Sequence, residues 1–151
     1  MESIKVIARN KVIHRDYEII EELECGIVLK GTEIKSIRQG KVSVQEAYCQ
    51  AKDGIFTIYN MHIAIYDHGN IFNHDEKRDR LLLAHHKEIR KFGQRVKLDG
   101  LTIIPICVYL KGGLCKVKVG LCRGKNKFDK REDMKKETAK KQIAKAKARN
   151  R

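Results

Sequence analysis

Residues 101–122, LTIIPICVYLKGGLCKVKVGLC, decide the fold. Their apolar first part, Leu101–Tyr109, predicts a buried strand, and the two glycines in the middle favour a turn. In the second part, Leu114–Cys122, apolar side chains at odd positions alternate with Lys116 and Lys118, which is the period of a strand. The stretch therefore predicts an antiparallel hairpin with one face in the core and two cations on the other.

A second hairpin is indicated by Asp53-Gly54, which lies between the β-rich runs Glu46–Lys52 and Ile55–Asn60. Asp-Gly between two such runs is the strongest short-range hairpin signal. The segment Ile27–Ile37 also predicts a strand, which Gly31 interrupts with a bulge or a sharp bend.

Two segments have the apolar spacing of helices. The first begins with Asp16 as N-cap and ends at Gly26, and the second runs from Glu76 to Phe92, with Gly93 as its stop. Short strands, few helices and glycine-linked hairpins predict a mainly β chain, built as a small antiparallel barrel with flanking helices. A helix before the last hairpin is compatible with an OB-fold, although periodicity alone leaves other small barrels open.

The positive charge is concentrated at the C-terminal end. The chain of 151 residues has a net charge of +14, and residues 123–151 hold 13 Lys and Arg against 4 Asp and Glu. Their only large apolar side chains are Phe128, Met134 and Ile143, too few to offset the entropy of ordering. We therefore predict a folded domain over residues 1–122 and a basic tail over residues 123–151, disordered in isolation.

Nucleic acid is the expected polyanion, because neutralised phosphates release counterions. The run Arg123–Arg131 places five cations around Phe128, a composition suited to unpaired RNA. The segment Glu132–Asn150 has a thin apolar stripe that favours a helix only along a phosphate-lined channel. A tail that serves solubility alone is the alternative.

Other function classes find little support. No run of 18 apolar residues predicts a membrane span, and the N-terminus lacks a signal-peptide pattern, so we expect a cytoplasmic protein. The five cysteines include no CxxC pair, which argues against a zinc site and a disulfide framework. We expect no metal and no cofactor. Glu33, which has cations near it in sequence, is interpreted as a salt-bridge partner or an acceptor for a nucleobase, with a general base as the less favoured reading.

Several blocks of this sequence, in this order, are highly specific. They are Ala8-Arg9-Asn10-Lys11, His14-Arg15-Asp16-Tyr17, Gly26–Arg38 with its Gly-Thr-Glu-Ile-Lys-Ser core, Gly40-Lys41-Val42, Asn73-His74-Asp75, Arg78, Arg80, Lys116–Gly120, Arg123-Gly124-Lys125 and Asp129-Lys130-Arg131. With these blocks the chain resembles the small protein B family, the tmRNA-binding proteins of bacterial trans-translation, almost from end to end.

The resemblance implies an OB-fold barrel that binds the tRNA-like domain of tmRNA near its D-loop and elbow. On a stalled ribosome such a protein would stand in for the missing anticodon arm at the decoding centre. Its tail would enter the vacant mRNA channel, contact ribosomal RNA and fold into a helix. The resemblance implies no catalytic residue, no cofactor and no membrane partner, and we expect a monomer when the protein is free.

The resemblance also assigns roles to residues. Those expected to bind RNA are Asn10, Lys11, Glu33, Lys35, Ser36, Arg38, Asn73, His74, Arg78, Arg80, Lys116, Lys118, Arg123, Gly124 and Lys125. Those expected to serve the ribosomal step are Lys127, Phe128, Asp129, Lys130 and Arg131.

Two other hypotheses remain. A ribosomal or cold-shock-like RNA-binding barrel would explain the charge and the fold, but not the blocks around Glu33 and Asp129–Arg131. A nuclease or RNA-modifying enzyme would need a carboxylate cluster, and the sequence shows none.

Overall fold

The computed structural model describes residues 3–66 and 73–125. Over these residues the chain forms nine strands and three helices. The strands are β1 (Ile4–Arg9), β2 (Tyr17–Ile27), β3 (Val42–Ser43), β4 (Tyr48–Lys52), β5 (Ile55–Tyr59), β6 (His62–Ile63), β7 (Arg80–Leu83), β8 (Thr102–Lys111) and β9 (Leu114–Gly124). The helices are α1 (Ile13–Asp16), α2 (Gly31–Arg38) and α3 (His86–Asp99). The predicted tail from residue 126 onward lies outside the described residues.

The main sheet closes on itself. Its strand order is β1-β8-β4-β5-β7-β2-β9, and β9 also pairs with β8, so the sheet returns to its own second strand. All pairings are antiparallel. β1 lies along the later part of β8, and β3 and β6 form a separate two-stranded sheet. The prediction of a small antiparallel barrel with flanking helices is confirmed.

Both predicted hairpins are present. β8 and β9 pair from Lys111↔Leu114 to Thr102↔Cys122, and β4 pairs with β5 through Lys52↔Ile55. Asp53 and Gly54 have φ values of 54° and 79°, a pair of left-handed residues that matches the twist of a two-residue hairpin.

The core fills the barrel and extends under two helices. Of the apolar residues of β9 that were predicted to face inward, Val117, Val119 and Leu121 are buried and Cys115 is partly buried. α3 contributes Ile89 and Phe92 to the same core, and α2 contributes Ile37. The helices therefore sit where they cover apolar surface that the strands leave open. No helix in the described ranges is long and apolar enough to cross a membrane.

The helix predicted between Asp16 and Gly26 is wrong, because this segment is β2. β2 pairs with β9 along its length, and the register shifts between Ile19 and Glu21. An irregularity of this kind interrupts the alternation of period two. The apolar residues on either side of it then fall at intervals that imitate a helix.

The strand predicted for Ile27–Ile37 is also wrong beyond Ile27, because Gly31 begins α2. The Glu33 carboxylate accepts a hydrogen bond from the Lys30 amide at 2.8 Å, which satisfies a free donor at the helix start. Glu33, Ser36 and Ile37 are buried on one side of the helix. Because two of these three residues are polar, the helical period was hidden from a pattern based on apolar residues.

The helix predicted from Glu76 to Phe92 is correct only in its second half. Residues 80–83 form β7, and α3 begins at His86 and continues through Gly93 to Asp99. Gly100 ends it in a left-handed conformation with φ of 67°. Gly93 is retained inside the helix for a packing reason: a Cβ there would lie 3.0 Å from the Ala51 carbonyl oxygen of β4.

We predict that Gly93→Ala destabilises the protein by about 1–2 kcal/mol, although alanine is the better helix former. The added methyl group would press on the Ala51 carbonyl of β4, a strand that pairs with β5 and β8 on its two sides. Urea unfolding followed by circular dichroism measures the change. Gln94→Ala, at an exposed site in the same helix, is the control and should change stability by less than about 0.5 kcal/mol. A G93A variant as stable as the unmodified protein would show that α3 does not need this close approach.

Candidate nucleic-acid interface

Glu33 lies fully buried at the start of α2, between two guanidinium groups. Its Oε1 accepts a hydrogen bond from Nη2 of Arg78 at 2.7 Å, and its Oε2 accepts one from Nε of Arg80 at 2.7 Å. Nε of Arg78 also donates to Oε2 at 3.2 Å. The side chains of Glu33 and Arg80 are 0 % exposed, and that of Arg78 is 27 % exposed. A single carboxylate thus fixes two cations, one of them at the surface.

The environment of Glu33 decides its protonation state. Burial alone would raise the pKa of its carboxyl, but hydrogen bonds from Arg78, the Lys30 amide and Arg80 outweigh burial and lower the pKa to about 2. An efficient general base has a pKa near the working pH, so this carboxylate is poorly suited to catalysis. The geometry favours the interpretation of Glu33 as the salt-bridge partner that holds the neighbouring cations in place.

The remaining hydrogen-bond donors of Arg80 are bonded to carbonyl oxygens inside the protein. Nη1 donates to the Met61 carbonyl oxygen at 2.6 Å, and Nη2 donates to the carbonyl oxygens of Asp75 and Glu76 at 3.4 and 3.3 Å. The sequence placed Arg80 near the start of a helix. It belongs instead to β7 and joins α2 to the segments at Met61 and at Asp75 and Glu76.

Four other predicted RNA-binding residues also have structural partners. Asn10 donates to the Pro105 carbonyl oxygen at 3.1 Å, and Ser36 donates to the Ala64 carbonyl oxygen at 2.7 Å. Asn73 donates to the Tyr66 carbonyl oxygen at 2.8 Å. The ring of His74 has Nε2 2.9 Å from the Ile63 carbonyl oxygen and Nδ1 2.9 Å from the Thr32 hydroxyl oxygen.

A carbonyl oxygen only accepts, so Nε2 of His74 donates to Ile63, and Nδ1 is hydrogen-bonded to the Thr32 hydroxyl, which can donate or accept. Asn10, Ser36 and His74 are buried, whereas Asn73 is half-buried. These side chains fix the segments around α2 and leave little of their own surface to a ligand.

Exposed cations surround this supported region. Lys35 and Arg38 project from the outer side of α2, and Lys41 follows the helix after Gly40. Nζ of Lys35 lies 5.4 Å from the centre of the Tyr66 ring, a cation–π contact that limits its movement. Lys11 lines a groove with Val42 and Ser43 of β3, which follows α2 in the chain. We refer to Lys11, Lys35, Arg38 and Lys41 as the α2 surface.

The outer side of β9 carries mixed charge. Lys116 and Lys118 alternate with core residues as predicted, but Nζ of Lys118 lies 3.8 Å from Oε1 of Glu22 on β2. Nη1 of Arg123 lies 3.4 Å from Oε1 of Glu18 on the same strand. The acidic partners were missed because β2 was predicted as a helix, which concealed its position beside β9.

The last described residues are joined to the barrel. β9 runs to Gly124, two residues beyond the predicted end of the domain at Cys122, and Gly124 pairs with Tyr17. Nζ of Lys125 donates to the His14 carbonyl oxygen at 3.0 Å. The predicted ribosomal residues Lys127, Phe128, Asp129, Lys130 and Arg131 lie outside the described residues.

The cysteines show no sign of reactivity. All five are free thiols. Burial raises the pKa of Cys25 to about 12 and that of Cys122 to about 11, which keeps both protonated at neutral pH. Within residues 3–66 and 73–125, no three His, Cys, Asp or Glu side chains meet in a way that would hold a metal ion.

One group of cations was not anticipated from the sequence. Lys52, Arg90 and Lys97 line a cleft of about 820 Å³ between α3 and the β4–β5 hairpin. Arg90 and Lys97 are seven residues apart, the spacing of two helical turns, and this was the available signal. Lys52 joins them only through the tertiary fold.

Comparison with known proteins places these features in a family. The model of the family described as SmpB protein matches residues 7–149. The SsrA-binding protein of Staphylococcus carnosus is 48% identical over 140 residues, covering 93% of this chain and 90% of that protein. The SsrA-binding protein of Enterococcus faecalis is 45% identical over 147 residues, covering 97% and 96%. A solved structure described as "tmRNA-SmpB: a journey to the center of the bacterial ribosome" is similar with a TM-score of 0.65 and 41% identity, covering 90% of this chain and 92% of that one.

The buried ion-pair network makes a prediction about stability. Glu33→Gln would leave Arg80 as a buried cation without its counter-charge, and we expect a loss of about 3–5 kcal/mol at pH 7. Because the folded-state pKa of Glu33 is lowered, its contribution is present above the ordinary glutamate pKa and disappears as pH falls from about 5 towards 2. The stability of E33Q should therefore depend less on pH over that range.

Urea unfolding at a series of pH values measures both effects. Glu22→Gln, which removes an exposed partner of Lys118, is the control and should cost less than about 1 kcal/mol. Equal stability of E33Q and E22Q at pH 7 would contradict a supporting role for Glu33.

Proposed function

The chain belongs to the SmpB family, and from this premise we propose that it is an RNA-binding adaptor of ribosome rescue. It binds the tRNA-like domain of tmRNA and delivers it to stalled ribosomes for trans-translation, in which incomplete peptides are tagged. The observation that carries the proposal is the α2 surface, whose cations Lys35 and Arg38 project from a helix that the buried Glu33 anchors to Arg78 and Arg80. It occurs in a chain nearly half identical to SsrA-binding proteins.

The α2 surface suits recognition by shape. Side chains cannot read the deep, narrow major groove of helical RNA, so proteins recognise such RNA through phosphates, 2′-hydroxyls and overall geometry. That mode requires cations at fixed positions. Lys35 is restrained by Tyr66, and Arg78 presents a partly exposed guanidinium that Glu33 orients. A surface fixed before binding loses little side-chain entropy on contact with RNA.

The residues assigned to RNA binding divide into two groups under this proposal. The buried or half-buried ones position the surface: Asn10, Glu33, Ser36, Asn73, His74 and Arg80. The exposed or partly exposed ones contact the RNA: Lys11, Lys35, Arg38 and Arg78, with Lys116, Lys118, Arg123, Gly124 and Lys125 extending the contact along β9. The contacts of Lys118 and Arg123 compete with Glu22 and Glu18, so we expect these two to be weaker than a contact made by α2.

The basic tail supplies the ribosomal step in this proposal. Residues 126–151 enter the vacant mRNA channel and become helical there, with Lys127, Phe128, Asp129, Lys130 and Arg131 acting near the decoding centre. Their charge of 11 Lys and Arg against 4 Asp and Glu supports an RNA-lined environment. The protein works where ribosomes are, in the cytoplasm.

We infer that the adaptor catalyses no reaction itself. Support comes from the titratable groups in the described part of the chain. Because its pKa is lowered, Glu33 is a poor general base. Because their pKa values are raised, Cys25 and Cys122 are poor nucleophiles. The peptidyl transfer and tagging that follow would be the work of the ribosome and the RNA.

We expect the purified protein to bind the tRNA-like domain of tmRNA more tightly than an elongator tRNA of similar length at physiological salt. Lys35→Ala/Arg38→Ala should weaken that binding and reduce its salt slope by about 0.7–0.9 for each lost phosphate contact. Competition binding over a range of salt concentrations measures both. Lys91→Ala/Arg95→Ala is the control, because it removes the same charges from α3, where both are paired with carboxylates. Equal affinity for the two RNAs would indicate a generic RNA-binding barrel.

Truncation after Lys127 should separate the two proposed steps. The shortened chain keeps the α2 surface and should retain most of its affinity for the tRNA-like domain, while tagging of stalled peptides in a reconstituted translation system should be abolished. A collapse of RNA affinity would mean that the tail is the main RNA clamp, which contradicts this division of labour.

A further inference from the structure

The cleft between α3 and the β4–β5 hairpin has the features of a second binding site. It encloses about 820 Å³, and its walls include the apolar side chains of Ile89, Val96 and Ile103. Three cations, Lys52, Arg90 and Lys97, also line it, and Asp53 is the only carboxylate among the lining residues. The cleft thus combines apolar walls with positively charged side chains.

These cations differ from their neighbours in how they are balanced. Elsewhere on α3, Lys91 pairs with Glu21 and Glu88, and Arg95 pairs with Asp99 at 2.7 Å. Among the residues that the structure describes, Lys52, Arg90 and Lys97 have no carboxylate oxygen within ion-pair distance. The fold pairs Lys91 and Arg95 with carboxylates and leaves the cations of the cleft, like Lys87 outside it, available to an anionic ligand.

The two walls of the cleft are also fixed relative to each other by close packing. Gly93 brings α3 against Ala51, where a Cβ would lie 3.0 Å from the carbonyl oxygen. At the tip of the hairpin a Cβ on Gly54 would lie 3.0 Å from the ring of His86. Both contacts fix the helix relative to the hairpin. Arg90 and Lys97, two turns apart, are therefore held about 10 Å from each other along α3.

We propose that this cleft binds the phosphodiester backbone of an RNA strand, as a site separate from the α2 surface. A separation of about 10 Å corresponds to the rise of about three stacked nucleotides, so Arg90 and Lys97 can hold different phosphates of one strand. The amides of Gln50 and Gln94 and the hydroxyl of Thr102 lie in the same cleft and can hydrogen-bond to ribose hydroxyls. The apolar wall accepts the faces of sugars and bases.

An RNA strand fits this combination better than an acidic polypeptide. Carboxylates would satisfy the cations but would leave the neutral donors and the apolar wall without matching groups, whereas a nucleotide offers phosphate, hydroxyl and apolar faces together. The site lies over β4 and β8, whereas α2 lies over β6. With two sites on different elements, one chain can join two RNA segments, which goes beyond binding of a single tRNA-like domain.

Photocrosslinking of the full-length protein tests the proposal. The protein is first bound to the tRNA-like-domain fragment, which occupies the α2 surface, and then mixed with a 4-thiouridine-labelled oligouridylate. Crosslinked peptides are mapped by mass spectrometry. We expect crosslinks within residues 49–54 or 86–103 in the unmodified protein and in K91A/R95A, and a loss of most of them in Arg90→Ala/Lys97→Ala. Both double variants remove one Lys and one Arg from the same helix.

Binding of the same oligouridylate at several salt concentrations gives a second readout. The salt slope should fall by about 1.4 in R90A/K97A, the value for two phosphates of a single strand, and should not change in K91A/R95A. Absence of crosslinks in the cleft, or equal crosslinks in the two double variants, would overturn the proposal. Displacement of the oligouridylate from the cleft by polyglutamate as efficiently as by unlabelled oligouridylate would also overturn it, in favour of an acidic polypeptide. Affinity for the tRNA-like domain is measured in the same samples, so failure of the proposed function would be seen independently.

Discussion

The buried carboxylate of Glu33 is the interaction on which the rest of the structure depends. It begins α2 by capping the Lys30 amide, and it neutralises Arg80, whose other donors hold the ends of β5, β6 and the segment before β7. Without that counter-charge the Arg80 guanidinium would be a buried, unpaired cation, which would lower the free energy of unfolding by several kcal/mol. The same group orients Arg78 at the surface, so folding and the presentation of charge are carried by one side chain.

Around this network, the buried polar side chains that support the fold are separate from the exposed cations. The polar atoms of Asn10, Ser36 and His74 are hydrogen-bonded to carbonyl oxygens or to a hydroxyl of neighbouring segments. The cations of the α2 surface lie outside this layer. Recognition by shape needs such an arrangement, because a flexible set of lysines would follow any polyanion. Under the proposed function, the polar interior of this region provides selectivity by holding the surface rigid, and the exposed charge provides affinity and speed of encounter.

The sequence predicted the elements whose signals are local, and it missed those whose signals are tertiary. The β8–β9 hairpin alternates cleanly, and Asp53-Gly54 sits between two β-rich runs, so both were found. β2 was missed because its irregularity at Ile19 and Glu21 breaks the alternation. α2 was missed because its inner side includes Glu33 and Ser36, which become buried only when Arg80 and Ala64 arrive from distant parts of the chain. Family resemblance singled out residues of this region, but it could not separate the buried ones from the exposed ones.

The closure of the barrel also fixes the point from which the tail leaves the folded domain. The Lys125 amide donates to the Asp16 carbonyl oxygen at 2.8 Å, and its ammonium group donates to that of His14, so the chain leaves the barrel from a point clamped to α1. Asp129 to Arg131 follow within six residues of that clamp and can reach no farther than about 22 Å even when fully extended. The distance that each tail residue can reach is therefore counted from Lys125. Along the proposed helix, one inserted residue would rotate every later side chain by about 100° and advance it by about 1.5 Å.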